Sequence, residues 1–187
     1  MKVSRNIFQM LAVLILSGLC AFAQTTSSAQ KFDKDGLLFD YPAGWTVEDT
    51  SNSDAQRLSL IRANSAVQIS VFVHRGRVLP EKMPDARKSL IDPYIDSTAK
   101  QFEQMGANPT KSAASTEISG VTSEGVKLSA VLSGEPGAAQ IYWALIGERV
   151  VVLTFFGPDK QLKQFTNAWD MIRTSLKIEG IKPTTPK

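Results

Sequence analysis

Gly36-Leu37-Leu38-Phe39-Asp40-Tyr41-Pro42-Ala43-Gly44-Trp45-Thr46-Val47 is the stretch that decides the fold class. Residues 37–41 are apolar or aromatic apart from Asp40, which suits an extended strand. Pro42-Ala43-Gly44 stops that strand, because proline withholds a backbone donor and glycine accepts turn dihedrals. Trp45-Thr46-Val47 then resumes an extended chain. Further on, Arg57-Leu58-Ser59-Leu60-Ile61-Arg62 alternates with a period of two. Residues 67–73 do so more strictly, with Val67, Ile69, Val71 and Val73 on one face. Asn64-Ser65 between these runs reads as a hairpin turn.

A helix is expected next. Asp92 suits its N-cap and Pro93 its first turn. Ile95, Ala99, Phe102 and Met105 form an apolar stripe at helical spacing, and Gly106 ends it. Residues 78–91 contain Pro80 and Pro84 and support only a short helical turn after Asp85. Residues 112–118 and 121–132 read as strands meeting at Gly120. Gly134-Glu135-Pro136-Gly137 turns the chain into an extended run over 140–146, and Gly147-Glu148 leads into another over 149–156. Val150-Val151-Val152-Leu153 is apolar throughout, which predicts cover on both faces of that strand. After Gly157-Pro158-Asp159, one stripe of Leu162, Phe165, Trp169, Ile172 and Leu176 predicts a single helix over 159–176. Consecutive hairpins and two helices make this an α+β chain: an antiparallel sheet of about six to seven strands with helices packed on its faces.

The first 23 residues read as a secretory signal peptide. Lys2 and Arg5 begin it, an apolar run covers 7–19, and Ala21-Phe22-Ala23 fits the small-x-small cleavage pattern. Cleavage after Ala23 would deliver the chain to the periplasm or outside the cell. The apolar run falls short of the roughly 20 residues of a spanning helix, so no stable transmembrane anchor is expected after cleavage. Lipidation at Cys20 is a separate reading, with Leu19 standing where that pattern wants a small residue. Residues 24–31, rich in Thr, Ser, Ala and Gln, read as a flexible tether, residues 32–178 as one α/β domain, and residues 179–187 as a disordered tail. Without Lys2 and Arg5, 19 basic residues face 18 acidic ones, a net charge of +1. So even a balance gives no electrostatic case for binding nucleic acid. Cys20 is the one cysteine, so an exported domain would lack disulfides, thiol chemistry and thiolate metal sites.

The run from Gly36 to Val47, with its Tyr41-Pro42…Trp45 opening, resembles the start of PsbP-like domains. The order that follows is similar too: an alternating extended segment, a helix, a long hairpin pair, then a strand and a closing helix that ends Ile172-Arg173-Thr174-Ser175-Leu176. The resemblance covers residues 32–178 as a pattern and implies an α/β/α sandwich around an antiparallel sheet. It also implies a binding or accessory role rather than catalysis. Photosystem members can use metal-binding histidines. With His74 the only histidine here, the resemblance brings no metal site.

His74 is also the one side chain whose ordinary pKa suits a Ser-His-acid site. No G-x-S-x-G elbow accompanies it, and Arg75 and Arg77 flank it in the run His74-Arg75-Gly76-Arg77. That run reads instead as a solvated strand end, and as the one candidate patch for an anionic ligand or an acidic partner: His74, Arg75 and Arg77. Asp33-Lys34-Asp35-Gly36 begins like a calcium loop. It places Leu37, Leu38 and Gly44 where oxygen ligands and glycine are required, so it reads as a turn. Asp92, Asp96 and Glu103 are the nearest approach to paired carboxylates, better explained by a cap and a solvated helix face. Tyr142 and Trp143 must point to opposite faces of one strand, so one of them is expected to be partly exposed, as a partner surface. The expected protein is an exported, non-catalytic binding or accessory protein of the cell envelope, with no cofactor and with an envelope protein or an anionic ligand as partner. The alternative is a small exported hydrolase with an unrecognised site.

Overall fold

The computed structural model describes residues 28–179. The expected signal peptide, its cleavage site and the tail from residue 180 lie outside the described residues. Seven strands form the main sheet: β3 (Trp45–Asp49), β4 (Ala55–Arg62), β5 (Gln68–His74), β6 (Thr110–Ile118), β7 (Val121–Leu132), β8 (Glu135–Ile146) and β9 (Arg149–Pro158). Their order across the sheet is β3-β4-β5-β9-β8-β7-β6, and every neighbouring pair is antiparallel. A second sheet of three strands joins β1 (Ala29–Lys34), β2 (Leu37–Pro42) and β10 (Lys177–Ile178) in the order β1-β2-β10. The expected α+β class and antiparallel sheet are what the structure shows.

Strand β1 begins inside the stretch expected to be a tether. Residues 29–31 pair with 40–42 of β2, because Asp35 and Gly36, at φ 51° and 76°, close a tight hairpin between Lys34 and Leu37. Asp33-Lys34-Asp35-Gly36 is therefore a strand end and its turn. Polar composition hid the strand: Phe32, stacked on Phe39 at 5.0 Å, is its main apolar contact.

One face of the main sheet carries Trp45, Leu58, Leu60, Ile69, Val71, Val73, Leu153 and Phe155. It is covered by the small sheet and by α3 (Asp159–Gln164) and α4 (Thr166–Ser175). The predicted stripe is there, with Leu162, Trp169, Ile172 and Leu176 all buried, but the single expected helix is two. The chain leaves helical geometry at Phe165, where the Thr166 hydroxyl donates to the Leu162 and Lys163 carbonyls at 3.1 Å each. Such back-bonding competes with the helical ladder. The break sets Phe165 edge-on to Trp45, with ring centroids 5.6 Å apart.

The other face is covered over β7, β8 and β9 by a continuous helical run from Pro80. It comprises a 3₁₀ turn, α1 (Met83–Ala86), a π-helical turn (Arg87–Ile91) and α2 (Asp92–Gln104). Asp92 is therefore helical and not an N-cap: its N–H donates to the Arg87 carbonyl, and Ile91 before it is already helical. The wide turn has a local cause. Pro93 has no N–H to offer in the ladder, and a π turn just before it absorbs the fault. Ile91, Ile95 and Phe102 anchor the run on Val126, Leu128, Ile141 and Trp143. Tyr142 and Trp143 do point to opposite faces, yet both are buried, because each face has its own helical cover. Val150 to Leu153 are buried on both sides for the same reason, as predicted.

Candidate functional site

Helix α2 sorts its residues into three stripes. Ile95 and Phe102 face the core, together with Ile91 of the preceding π turn. Asp92, Asp96, Lys100 and Glu103 lie on another side. Between them Tyr94, Ser97, Thr98 and Gln101 recur at helical spacing, polar but uncharged, and they face the main sheet where α2 overhangs β4 and β5. The sheet presents a matching surface. Ser59 of β4 is directly opposite Ser70 of β5, and Ser70 directly opposite Thr154 of β9, so three neighbouring strands set three hydroxyls in a row.

Two adjoining clefts of about 440 and 480 Å³ lie between these surfaces and share Ser70, Tyr94 and Ser97. Each falls in the size range of small-molecule sites. The hydroxyls are held in place. Gln68 Nε2 donates to Ser59 Oγ at 3.0 Å and to Ser70 Oγ at 3.1 Å, which leaves both serine protons free for a ligand. Tyr94 Oη and Thr154 Oγ1 share a hydrogen bond of 2.9 Å, and burial pushes the Tyr94 phenol above its ordinary pKa. Phe72, Tyr94 and Phe156 supply the apolar walls. Among the described residues, Arg57 is the only formally charged side chain lining either cleft, and its guanidinium sits over the Phe72 ring, 5.6 Å from the centroid.

The residues singled out from sequence lie elsewhere, at the end of β5. Arg75 donates through Nη2 to Asp35 at 2.8 Å and through Nε to the Asn52 carbonyl at 2.9 Å. Arg77 grips Glu148 with both Nε and Nη2, at 2.6 and 2.7 Å, and this pairing lowers the Glu148 pKa. Each guanidinium thus already holds its own carboxylate, on two different loops. His74 and Arg77 share a shallower cleft of about 370 Å³ with Lys82 and Asp85. Gly76 has a packing role there: a Cβ on it would stand 2.5 Å from His74 Nε2. Asp92, one of the weighed carboxylates, is engaged with Arg87 at 3.5 Å. Among the described residues there is no cluster of three or more metal-ligating side chains and no helix long and apolar enough to cross a membrane.

Reading the sequence strand by strand missed the cleft. Ser59 and Ser70 looked like the outward positions of alternating strands, which are ordinarily solvated. The available signal was the uncharged stripe of α2, set apart from Asp92, Asp96, Lys100 and Glu103 in a helix with charge to spare.

No family model matches the chain, nor does any curated protein. Solved structures do match. Cyanobacterial PsbP (CyanoP) from Synechocystis superposes with a TM-score of 0.53 at 12% identity, over 82% of this chain and 94% of that one. A protein from Bacteroides thetaiotaomicron gives 0.51 at 10% identity over 84% of this chain, which spans about half (51%) of that protein's length. LpqN of Mycobacterium tuberculosis, described as involved in cell envelope biogenesis, gives 0.42 at 14% identity, a likeness too loose to rest anything on. The chain has the PsbP-like fold: the antiparallel sheet with helical layers that the Tyr41-Pro42…Trp45 opening suggested. At these identities the fold transfers and the function does not.

Proposed function

We propose that this is an exported, non-catalytic binding or accessory protein of the cell envelope, whose ligand, an uncharged polar molecule, sits in the cleft between α2 and the β4–β5–β9 surface. Export rests on the three-zone N-terminal sequence ending Ala21-Phe22-Ala23. The observation that carries the binding role is the hydroxyl row Ser59–Ser70–Thr154, fixed by Gln68 and Tyr94 under a helix stripe that carries no charge. Hydroxyls and amides at fixed positions, with aromatic walls, recognise a neutral ligand by hydrogen bonding. Turnover needs a group that moves a proton near neutral pH or a nucleophile with a base beside it. The cleft's titratable side chains are Arg57 and a Tyr94 phenol raised further from neutrality, and neither suits that task.

The test is a melting-temperature panel of neutral oligosaccharides and other polyols beside matched anionic compounds, run on wild type and on Ser97→Trp. Ser97 is exposed on the cleft wall, so the tryptophan fills the cleft without disturbing the core. A neutral compound should raise the wild-type midpoint and lose that effect in the variant. Stabilisation by anionic compounds alone, or turnover of any panel member, contradicts the reading.

A further inference from the structure

The two edges of the main sheet are finished differently. Edge strand β3 is five residues long and ends in Glu48 and Asp49, with Lys34 paired to Asp49 at 2.6 Å. Edge strand β6 runs nine residues, Thr110–Ile118, in unbroken register with β7. Among the described residues nothing pairs with its outer side. Its centre, Ser112-Ala113-Ala114-Ser115-Thr116, carries no charge, proline or glycine, and it has no bulge. Those are the devices that ordinarily stop an edge from acting as a template for another strand.

The turn settles which backbone groups face outward. Ser119 and Gly120, at φ 53° and 77°, form a two-residue turn of the primed type between Ile118 and Val121. Ile118 and Val121 are then a hydrogen-bonded pair, so even-numbered residues of β6 bond to β7. Lys111, Ala113, Ser115 and Glu117 aim their N–H and C=O groups away from it. Two contacts agree with this parity: Ser119 N–H donates to the Arg173 carbonyl at 2.8 Å, and Arg173 Nη1 donates to the Glu117 carbonyl at 2.9 Å. Arg173 thus seals the turn end of the edge and leaves the stretch from Lys111 to Ser115 open.

We propose that β6 pairs antiparallel with β6 of a second copy of this chain, about a twofold axis through Ala114. In that register Ala113 stands opposite Ser115 of the second copy and Lys111 opposite its Glu117, twice over by symmetry. Directly opposite residues share a face, so each lysine meets a glutamate across the junction. With the Glu117 carbonyl already taken, roughly six backbone hydrogen bonds form. The neighbouring register, about Ala113, makes as many backbone bonds but sets Lys111 against Ser115 and Glu117 against Pro109. Charge selects the axis at Ala114. The small side chains of Ala113, Ala114 and Ser115 let the two edges approach, and the twofold closes the assembly at two copies. Strands β7 and β8 separate β6 from the cleft, so this pairing is independent of the ligand reading.

The experiment is sedimentation velocity and light scattering at low salt, on protein purified from cells expressing the full chain, over a roughly hundredfold concentration range. Wild type should show a monomer–dimer equilibrium. Lys111→Glu and Glu117→Lys each put like charges opposite one another twice and should weaken the dimer about tenfold. The double variant restores the opposite pairing and should return to near the wild-type constant. Ala113→Pro removes an outward N–H that β7 does not use, so it should abolish the dimer while thermal melting shows the monomer still folded. A wild type that is monomeric throughout overturns the proposal. So does a dimer that Lys111→Glu and Ala113→Pro both leave intact, or a double variant that stays as weak as the singles.

Discussion

On strand β5, Ile69, Val71 and Val73 point to one face of the sheet and are at most 1% exposed, while Gln68, Ser70, Phe72 and His74 point to the other and are only half-buried. The first face meets two helices and a second sheet, which close over it with apolar side chains from Leu37 to Leu176. The second face is closed only over β7, β8 and β9. Beyond the flank of α2 the surface turns to hydroxyls and amides, held by hydrogen bonds to one another. The apolar clusters of the closed face and of the α2-covered part of the second face therefore supply the folding free energy, and the open part over β4 and β5 is free to vary its chemistry at little cost. This division allows a binding cleft on a domain without a disulfide to spare among residues 28–179.

The largest effect should come from the closed face. Trp169 is buried, stacked flat on Phe155 at 5.3 Å, and Trp169→Ala should cost about 3–5 kcal/mol. Against a typical total of about 5–15 kcal/mol, that unfolds or nearly unfolds the domain. A denaturation midpoint within error of wild type would break the comparison.

Where the covered part of the second face meets its open part, Tyr94→Phe removes the hydroxyl partner of buried Thr154 and should cost about 1–3 kcal/mol. Adding Thr154→Val removes the orphaned group, so the double variant should recover part of the loss in the same denaturation assay. In the cleft itself, Ser70→Ala should change stability by no more than about 0.5 kcal/mol. A loss as large as that of Trp169→Ala would mean that the open face is structural after all.

The smallest effect concerns pH. The Lys34 ammonium, with help from Ser51, holds the Asp49 carboxyl down at about 2, from an ordinary 3.8. A depressed carboxylate stabilises the fold above its unfolded pKa, and the contribution is lost as pH falls through the folded one. Thermal midpoints should therefore dip slightly between pH 3.8 and about 2 in wild type, and less so in Asp49→Asn. Added salt should shrink the difference, because the pair is exposed to solvent.

How far the sequence could be read follows from the same division. Where burial imposes a period, most of the reading is met: the alternation of 67–73, the apolar run 150–153 and the stripe ending at Leu176 all lie where expected, whereas Met105, the last member expected of the α2 stripe, is exposed because the helix ends at Gln104. Strand β1 was hidden because exposed edge residues carry no period. The break at Phe165 and the π turn before Pro93 are local hydrogen-bond exchanges that leave the apolar stripe intact, so periodicity could not show them. The cleft was illegible for a different reason. Ser59, Ser70 and Thr154 are far apart in the chain, and only the pairing register of β4, β5 and β9 brings them into one row. The patch chosen from sequence, His74, Arg75 and Arg77, is conspicuous because two arginines stand beside the one histidine. Sequence could not show that Asp35 and Glu148 come back to meet the two arginines.

The most direct test is amide NMR mapping of the isotope-labelled protein, titrated with the neutral compound that the melting panel selects. The account predicts shifts concentrated at Ser59, Ser70, Ser97 and Thr154, with His74 to Arg77 and the closed face unmoved. Shifts centred on His74, Arg75 and Arg77, with the cleft silent, would contradict it.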